Sequence, residues 1–371
     1  MMKTIGCVLF TSLLLVQQTD RKPVVLQRAP LRFIKDPNPS FSGVAVDSDH
    51  NMLVVTDENL FQILEYDNHE NTPAKAKFSE PKRVISGTST RAEMICGVYI
   101  DPKTREVYVM NNDTQEYIPV FGPDQKGNAP PERYLEGVRG FGIAADEERG
   151  LLYLTNQNGT ISVYPKNYTT DTKPIRKVEG GNTLLEDPHG IALDTKNKVI
   201  YVSNFGNVSV REEGNRYGRF DQPSITVYPL DGNGDVKPVR KIQGPKTLLN
   251  WPSHIALHTG RQELFVANDA DSSVLVFNAA AEGDTAPIRV IKGPKTGIKH
   301  PPGIALDEKL NEVYLANMGN ASVTVFPVTA NGDVPPIRTV RGGPAGSVGL
   351  NIGNPGAVGY DTKRDQILVP N

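Results

Sequence analysis

The chain has 371 residues, of which 38% are hydrophobic, with 34 Gly, 29 Pro and a formal net charge of −2. This composition is typical of a turn-rich globular protein that buries a core, and the lack of a basic excess argues against a nucleic acid or an anionic membrane as partner. Beyond the N-terminal segment, no stretch approaches the roughly 20 apolar residues that a membrane-spanning helix needs.

The N-terminal residues 1–20 are predicted to be a secretory signal peptide, because a positive start precedes a short apolar run from Thr4 to Val16. No small-x-small cleavage motif follows that run, so an uncleaved anchor is the alternative. We expect residues 21–371 to form a single domain that is secreted, periplasmic or held at the cell surface. Cys96 would then be the only cysteine left, and an intradomain disulfide is excluded.

Seven copies of one sequence unit follow. Most copies open with a block of the form Gly-apolar-Ala-apolar-Asp, from which His254, His258 and Ala357 depart. An Asn or Asp closes a second apolar block ten residues after the end of the first. The β-branched and aromatic composition of both blocks favours strands, and the short polar turn between them predicts a hairpin. The first positions of the seven copies are Gly43, Gly97, Gly142, Gly190, His254, Gly303 and Ala357.

Two further elements complete six of the copies. A third apolar run follows the hairpin, and a fourth element of the form Pro-x-Arg-x-apolar-x-Gly follows that run, for example at Pro174 and Pro238. The proline and the internal charge of the fourth element suit an outer edge strand, where one side needs no hydrogen-bonding partner. Repeated four-stranded units of this length predict an all-β protein of the β-propeller class.

The number of blades depends on the two ends of the chain. A seventh copy of the fourth element, Pro30–Asp36, precedes the first repeat, whereas the C-terminal copy ends after its hairpin. Joining the two would close a ring and remove exposed sheet edges. We therefore predict seven blades, six complete and one shared by the termini. A six-bladed ring with a loose tail is the alternative, because the shared blade lacks a clear third strand.

The first block Pro188–Asp194, the second block ending in Tyr201–Asn204 and the Pro-x-Arg-x-Ile-x-Gly edge resemble the NHL and YVTN class of propeller repeats, of the secreted bacterial type. The resemblance covers residues 30–371. It implies the propeller fold and a ligand-binding face or channel where the innermost strands begin. It implies no single activity, since the class includes lactonases, lyases, receptor modules and proteins without assigned activity.

On that face the residue before the first position differs from copy to copy. The fold does not require a particular residue there, so this position can serve ligand binding. The candidate residues at these strand starts are Arg139, Phe141, His189, Trp251, His254 and His300. The three histidines come from successive blades and could hold a zinc ion with one open coordination position. They occupy different offsets in the repeat, however. The simpler interpretation is that they are polar residues that line a water-filled central channel. Calcium at the ring of repeat Asn side chains is a further alternative to their role in turns.

The fourth repeat carries an insertion on the same face. Its second and third strands are separated by 21 positions, from Asn204 to Ile225, against five to seven in the other complete repeats. The extra segment combines charges with aromatic residues and includes Arg216, Tyr217 and Arg219. Such a loop suits recognition of a polar or glycosylated partner, and a solvated insertion without function is the alternative.

These features favour a secreted, monomeric binding module for a protein, peptide or glycan partner, with no enzymatic activity, no cofactor and no nucleic-acid partner. The alternative is a metal-dependent lyase or hydrolase, lactonase-like or amidating-lyase-like, whose channel site requires His189 and His254 and a zinc or calcium ion. Phosphate-binding loops, nucleophile elbows and zinc-protease helices are absent from the sequence, so no catalytic residue is assigned.

Overall fold

A computed structural model describes residues 39–76, 78–112, 115–206 and 221–341, together with two short strands near the C-terminus. The predicted signal peptide, the Pro30–Asp36 element and most of the insertion lie outside the described residues. Within the described part, no helix combines the length and the apolar character needed to cross a membrane.

The first three blades are four-stranded antiparallel sheets whose strands follow chain order. Blade 1 consists of β1 (Phe41–Asp47), β2 (Met52–Asp57), β3 (Gln62–Asp67) and β4 (Arg83–Ser86). Blade 2 consists of β5 (Ile95–Ile100), β6 (Val107–Asn111), β7 (Tyr117–Phe121) and β8 (Arg133–Glu136). Blade 3 consists of β9 (Gly140–Asp146), β10 (Leu151–Asn156), β11 (Thr160–Pro165) and β12 (Arg176–Val178).

The next three blades repeat this order. Blade 4 consists of β13 (Pro188–Asp194), β14 (Val199–Asn204), β15 (Ser224–Pro229) and β16 (Arg240–Ile242). Blade 5 consists of β17 (Pro252–His258), β18 (Glu263–Asn268), β19 (Ser273–Asn278) and β20 (Arg289–Ile291). Blade 6 consists of β21 (Gly303–Asp307), β22 (Glu312–Asn317), β23 (Ser322–Pro327) and β24 (Arg338–Arg341). Single 3-10 turns span Pro245–Thr247, Asp269–Asp271 and Met318–Asn320.

The hydrophobic core is divided among the interfaces between blades. Each of six clusters of buried side chains draws on two neighbouring blades, and one of them joins blade 6 to blade 1. The second strands lie between the two packed faces, so β2 and β18 are buried at every position. This double burial explains why the second block of the repeat is a nearly continuous apolar run.

The ring closes with six blades. β1 packs against β21, the Tyr314 hydroxyl donates to Asn68 Oδ1 at 2.7 Å, and the backbone N–H of Thr72 donates to the carbonyl of Thr339 at 3.0 Å. The prediction of a propeller is confirmed. The structure shows the six-bladed alternative rather than seven blades, because these contacts leave no gap for another blade. The seventh repeat forms a hairpin of β25 (Gly359–Asp361) and β26 (Gln366–Leu368), which is a separate two-stranded sheet.

The glycine at the first position of the repeat permits a close approach between first strands. A Cβ atom built on five of these glycines would lie between 2.3 and 2.6 Å from a carbonyl oxygen of the next blade. The pairs are Gly43 with Cys96, Gly97 with Phe141, Gly142 with His189, Gly190 with Ser253 and Gly303 with Ser42. The other first position among the described residues is His254, whose backbone N–H donates to the Pro302 carbonyl at 3.0 Å.

The repeat Asn side chains of blades 4, 5 and 6 bond the segment that leads into their blade, whereas the sequence had suggested that they bond their own turn. The Oδ1 atoms of Asn204, Asn268 and Asn317 each accept a backbone N–H from the segment that leads into their blade, at 2.7 to 3.1 Å. These side chains therefore hold the loops that enter the blades in place.

Candidate functional site

One face of the ring carries a set of paired residues that we call the rim. In every blade, the residue three before the first position accepts a hydrogen bond from the backbone N–H of the residue after the repeat Asn or Asp, at 3.0 to 3.2 Å. The pairs are Ser40 with Glu58, Met94 with Asn112, Arg139 with Gln157, Asp187 with Phe205, Trp251 with Asp269, and His300 with Met318. The backbone of the rim is thus uniform, whereas its side chains differ from blade to blade.

The rim presents several side chains from a left-handed backbone conformation. Four residues that precede the first strands have positive φ, including Trp251 at 51° and His300 at 42°. Bulky residues rarely adopt this region, which costs about 1–3 kcal/mol. Because four blades share it, the repeat imposes this conformation, and the side chain placed there is available for function.

Four rings on the rim and the adjacent strand starts form a stack that we call the aromatic ladder. Phe141 stacks on His189 with centroids 3.7 Å apart and 14° between planes, and His189 stacks on Phe205 at 3.5 Å and 9°. Phe205 in turn stacks on Trp251 at 5.5 Å and 21°. Exposure rises along the ladder, from 8% at Phe141 to 47% at Trp251. The ladder therefore supports Trp251 from behind and leaves its outer surface open.

Two rim carboxylates lie close to histidines, Asp187 to a ladder residue and Asp269 to His300. Asp187 Oδ1 lies 3.5 Å from His189 Nε2, and Asp269 Oδ1 lies 3.5 Å from His300 Nδ1, with both aspartate side chains 19% exposed. Burial raises the pKa of Asp269, and the neighbouring His300 opposes this shift. The open end thus combines an aromatic surface with groups that can accept or donate hydrogen bonds.

His254 belongs to the channel rather than to the rim. Its Nδ1 lies 2.8 Å from the Pro302 carbonyl oxygen and its Nε2 lies 3.0 Å from that of Phe141, so the imidazole links three blades. Burial lowers the pKa of His254, and the two carbonyls oppose this shift. A cavity of about 50 Å³ beside it is lined mainly by apolar residues and by Cys96, whose thiol donates to Glu58 Oε1 at 2.9 Å.

The structure brings some of the predicted site residues together. Phe141, His189 and Trp251 meet in the ladder, and Arg139 lies on the rim with its Nε 3.8 Å from Glu116 Oε1. Sequence reasoning missed Phe205, although an aromatic residue directly after the repeat Asn and next to the insertion was an available signal.

The insertion begins and ends beside the ladder. The backbone N–H of Asp221 donates to the carbonyl of Gly206 at 2.7 Å, which holds the two ends of the insertion together one residue after Phe205. The predicted site residues Arg216, Tyr217 and Arg219 lie outside the described residues.

The three histidines proposed as zinc ligands do not form a common site. His189 is stacked between two phenyl rings, both ring nitrogens of His254 face backbone carbonyls, and His300 lies beside Asp269. Their different offsets in the repeat direct them to the ladder, the channel and the rim. In the described ranges, no three His, Cys, Asp or Glu side chains are grouped so that they could hold a metal ion.

Comparison with known proteins supports the fold more than a particular activity. No curated protein matches the chain. One family does match part of it, and the matched segment contains Trp251, His254, Asp269 and His300 but not the other ladder residues. Over residues 221–348 the chain is similar to the family described as "Lactonase, 7-bladed beta-propeller".

Proposed function

We propose that this chain is a secreted, monomeric binding module that holds a glycan on its rim, with Trp251 as the platform. The observation that carries the proposal is the aromatic ladder, which ends in a tryptophan that is 47% exposed. An indole presents a large apolar face on which the C–H side of a sugar ring can stack, and polar groups at its edge can bond the hydroxyls.

The support behind Trp251 favours binding. Stacking on Phe205 and the hydrogen bond from the Asp269 N–H to the Trp251 carbonyl fix the platform before a ligand arrives. A rigid aromatic anchor loses little conformational entropy on binding, so more of the contact energy appears as affinity.

A small ligand fits this surface better than a large protein does. Among the described residues, Trp251 is the one rim position that is a large exposed hydrophobic side chain. A stable protein interface needs about 800 Å² from each partner with an apolar centre. A single aromatic platform with acidic and imidazole neighbours is closer in size and chemistry to a site for one or a few sugar units.

The experiment is a printed array of neutral, amino and acidic glycans, probed with the full chain. We expect retention of at least one glycan class, and a loss of about tenfold or more in affinity in Trp251→Ala, because a central aromatic anchor dominates such a site. The matched control is Ile288→Ala, which removes a comparably exposed side chain from a position outside the rim. No retained glycan, or equal binding by Trp251→Ala, would overturn the proposal.

A second candidate is hydrolysis of a cyclic ester on the same face, which the match of residues 221–348 to the lactonase family favours. The Asp269 and His300 side chains are of the types that can activate a water molecule as a general base. A pH-stat assay with glucono-1,5-lactone distinguishes the candidates. A binding module leaves the spontaneous rate unchanged, whereas a lactonase accelerates ring opening and loses the acceleration in Asp269→Asn.

A further inference from the structure

The charged groups of the rim favour a cationic ligand. Its carboxylates are Glu58, Asp187 and Asp269, whereas Arg139 is its one Lys or Arg side chain. That guanidinium is itself close to Glu116, with 3.8 Å between Nε and Oε1. Among the twelve described rim residues, carboxylates therefore outnumber Lys and Arg side chains, and this excess would attract a cation and repel an acidic sugar.

Asp269 is placed to contact a group bound at Trp251. Its backbone N–H donates to the Trp251 carbonyl, so the two residues form one rim pair. Its Oδ1 is buried and receives no hydrogen bond from a described residue. The nearest imidazole nitrogen, His300 Nδ1, is 3.5 Å away, longer than the about 2.7–3.2 Å of an ordinary N–H···O bond. Because Oδ1 is enclosed, a ligand would reach the carboxylate through its other oxygen, Oδ2, and a charge-assisted hydrogen bond there would offset the burial of the group.

The neighbouring blades alternate acid and aromatic groups. In blade 4 the rim pair is Asp187 with Phe205, and in blade 5 it is Trp251 with Asp269. The two aromatic rings stack across the blade interface, which leaves one carboxylate on each blade beside the stack. An ammonium group near an indole face gains from the ring quadrupole, and a carboxylate within reach adds a charge-assisted hydrogen bond.

We propose that the glycan held on Trp251 is an amino sugar whose ammonium group pairs with the Asp269 carboxylate. This inference rests on the proposed glycan-binding function and specifies its ligand class. Asp187, which lies beside His189 in the ladder, adds to the negative charge of the rim, and a neutral sugar would make the stacking contact without the ion pair.

The test compares three trisaccharides that share a β-1,4-linked glucose-type backbone and differ at the C2 substituent. The glucosamine trimer carries ammonium groups, triacetylchitotriose carries acetamides and cellotriose carries hydroxyls. Calorimetry at pH 6 and low salt is expected to show the glucosamine trimer binding about tenfold more tightly than cellotriose. This preference should shrink as salt is added, because the electrostatic part is screened.

Asp269→Asn keeps the size and shape of the side chain and removes its charge. We expect it to reduce the preference for the glucosamine trimer over cellotriose to within about twofold, since the ion pair is lost while stacking remains. Asp171→Asn is the matched control, because Asp171 is exposed in a turn of blade 3, away from the rim, and should leave the preference intact. Unchanged thermal unfolding of both variants would show that folding does not account for the difference.

The outcomes separate this inference from the proposed function. Equal binding of the three trimers, or a preference that survives in Asp269→Asn, would overturn the amino-sugar assignment while glycan binding stands. Retention on the array of neutral or acidic glycans alone would do the same. An array that retains no glycan of any class would overturn the proposed function and this inference together.

Discussion

At the scale of single residues, function and fold are assigned to different positions of the same repeat. The first position is restricted to glycine in most blades, because a Cβ there would meet the next blade. The position three earlier has a backbone conformation that several blades share, and it carries residues as different as Met94, which is buried, and Trp251, which is 47% exposed. The chemistry of the face can therefore change without altering the ring.

His254 gives a prediction on pH. Burial lowers its pKa in the folded chain, so the unfolded chain binds a proton more readily, with an ordinary pKa of about 6.5. Above that value the imidazole is neutral in both states and donates to one of its two carbonyl neighbours in the fold. Stability is lost as the pH falls below it because the unfolded chain takes up the proton first. His254→Gln, which does not titrate, should show a smaller drop in melting temperature between pH 7.5 and pH 5 than the unmodified chain.

The surroundings of His254 define the control for this prediction. Other titratable groups near its ring are Cys96, which lines the same cavity, and His189, whose charge also lowers the pKa of His254. His69 is exposed, so His69→Gln should retain the full pH dependence. An identical drop in His254→Gln and in the unmodified chain would contradict a neutral, buried His254.

At the scale of strands, the sequence predicts the fold better than it predicts the functional site. The periodic blocks identified the hairpins, the third strands and the outer edge strands. A strand that is buried on one or both faces needs apolar residues at the buried positions, so its pattern is visible in the sequence. The charge within the predicted edge strand also forms an ion pair in the structure. Arg338 on β24 donates to both Glu312 oxygens and to the Tyr314 hydroxyl, and so anchors the outermost strand to β22.

The first strands give a prediction on stability. A Cβ on Gly142 would lie 2.3 Å from the His189 carbonyl oxygen, a backbone atom that cannot move without displacing β13. Gly142→Ala is therefore expected to destabilise the protein by about 1–3 kcal/mol in denaturant unfolding, as an overpacked position.

Gly260→Ala is the matched control for this variant. Its Cβ would find its nearest neighbour, His258 Cε1, at the ordinary contact distance of 3.6 Å. We expect its stability to lie within about 0.5 kcal/mol of the unmodified chain. Equal effects of the two alanine substitutions would refute the close approach between first strands.

At the scale of the whole molecule, the number of blades is decided by closure, which local patterns do not encode. Seven repeats predicted seven blades, but the packing of Gly303 against Ser42 and the cluster between blades 6 and 1 close the ring at six. The stacking of the aromatic ladder could not be predicted from the sequence either. Phe141, His189 and Trp251 were candidates by position, but their stacking with Phe205 depends on how neighbouring blades are inclined, and a single repeat carries no record of that geometry.

Closure at six blades predicts that the chain tolerates truncation after Arg341. All six interface clusters and all twelve rim residues lie before that point. Residues 39–341 should then unfold cooperatively, with a melting temperature within about 4 °C of the full chain. Loss of a cooperative transition on truncation would indicate that the seventh repeat is a structural part of the ring.

The central claim is that a glycan stacks on Trp251, and the chain offers a direct probe because Trp251 is its only tryptophan. Fluorescence excited at a wavelength that the 13 tyrosines absorb little therefore reports on the open end of the ladder. Addition of the glucosamine trimer to the full chain is expected to give a saturable change in intensity or emission maximum, with the same midpoint as calorimetry. Binding detected by calorimetry with no change at Trp251 would place the ligand elsewhere and contradict the account.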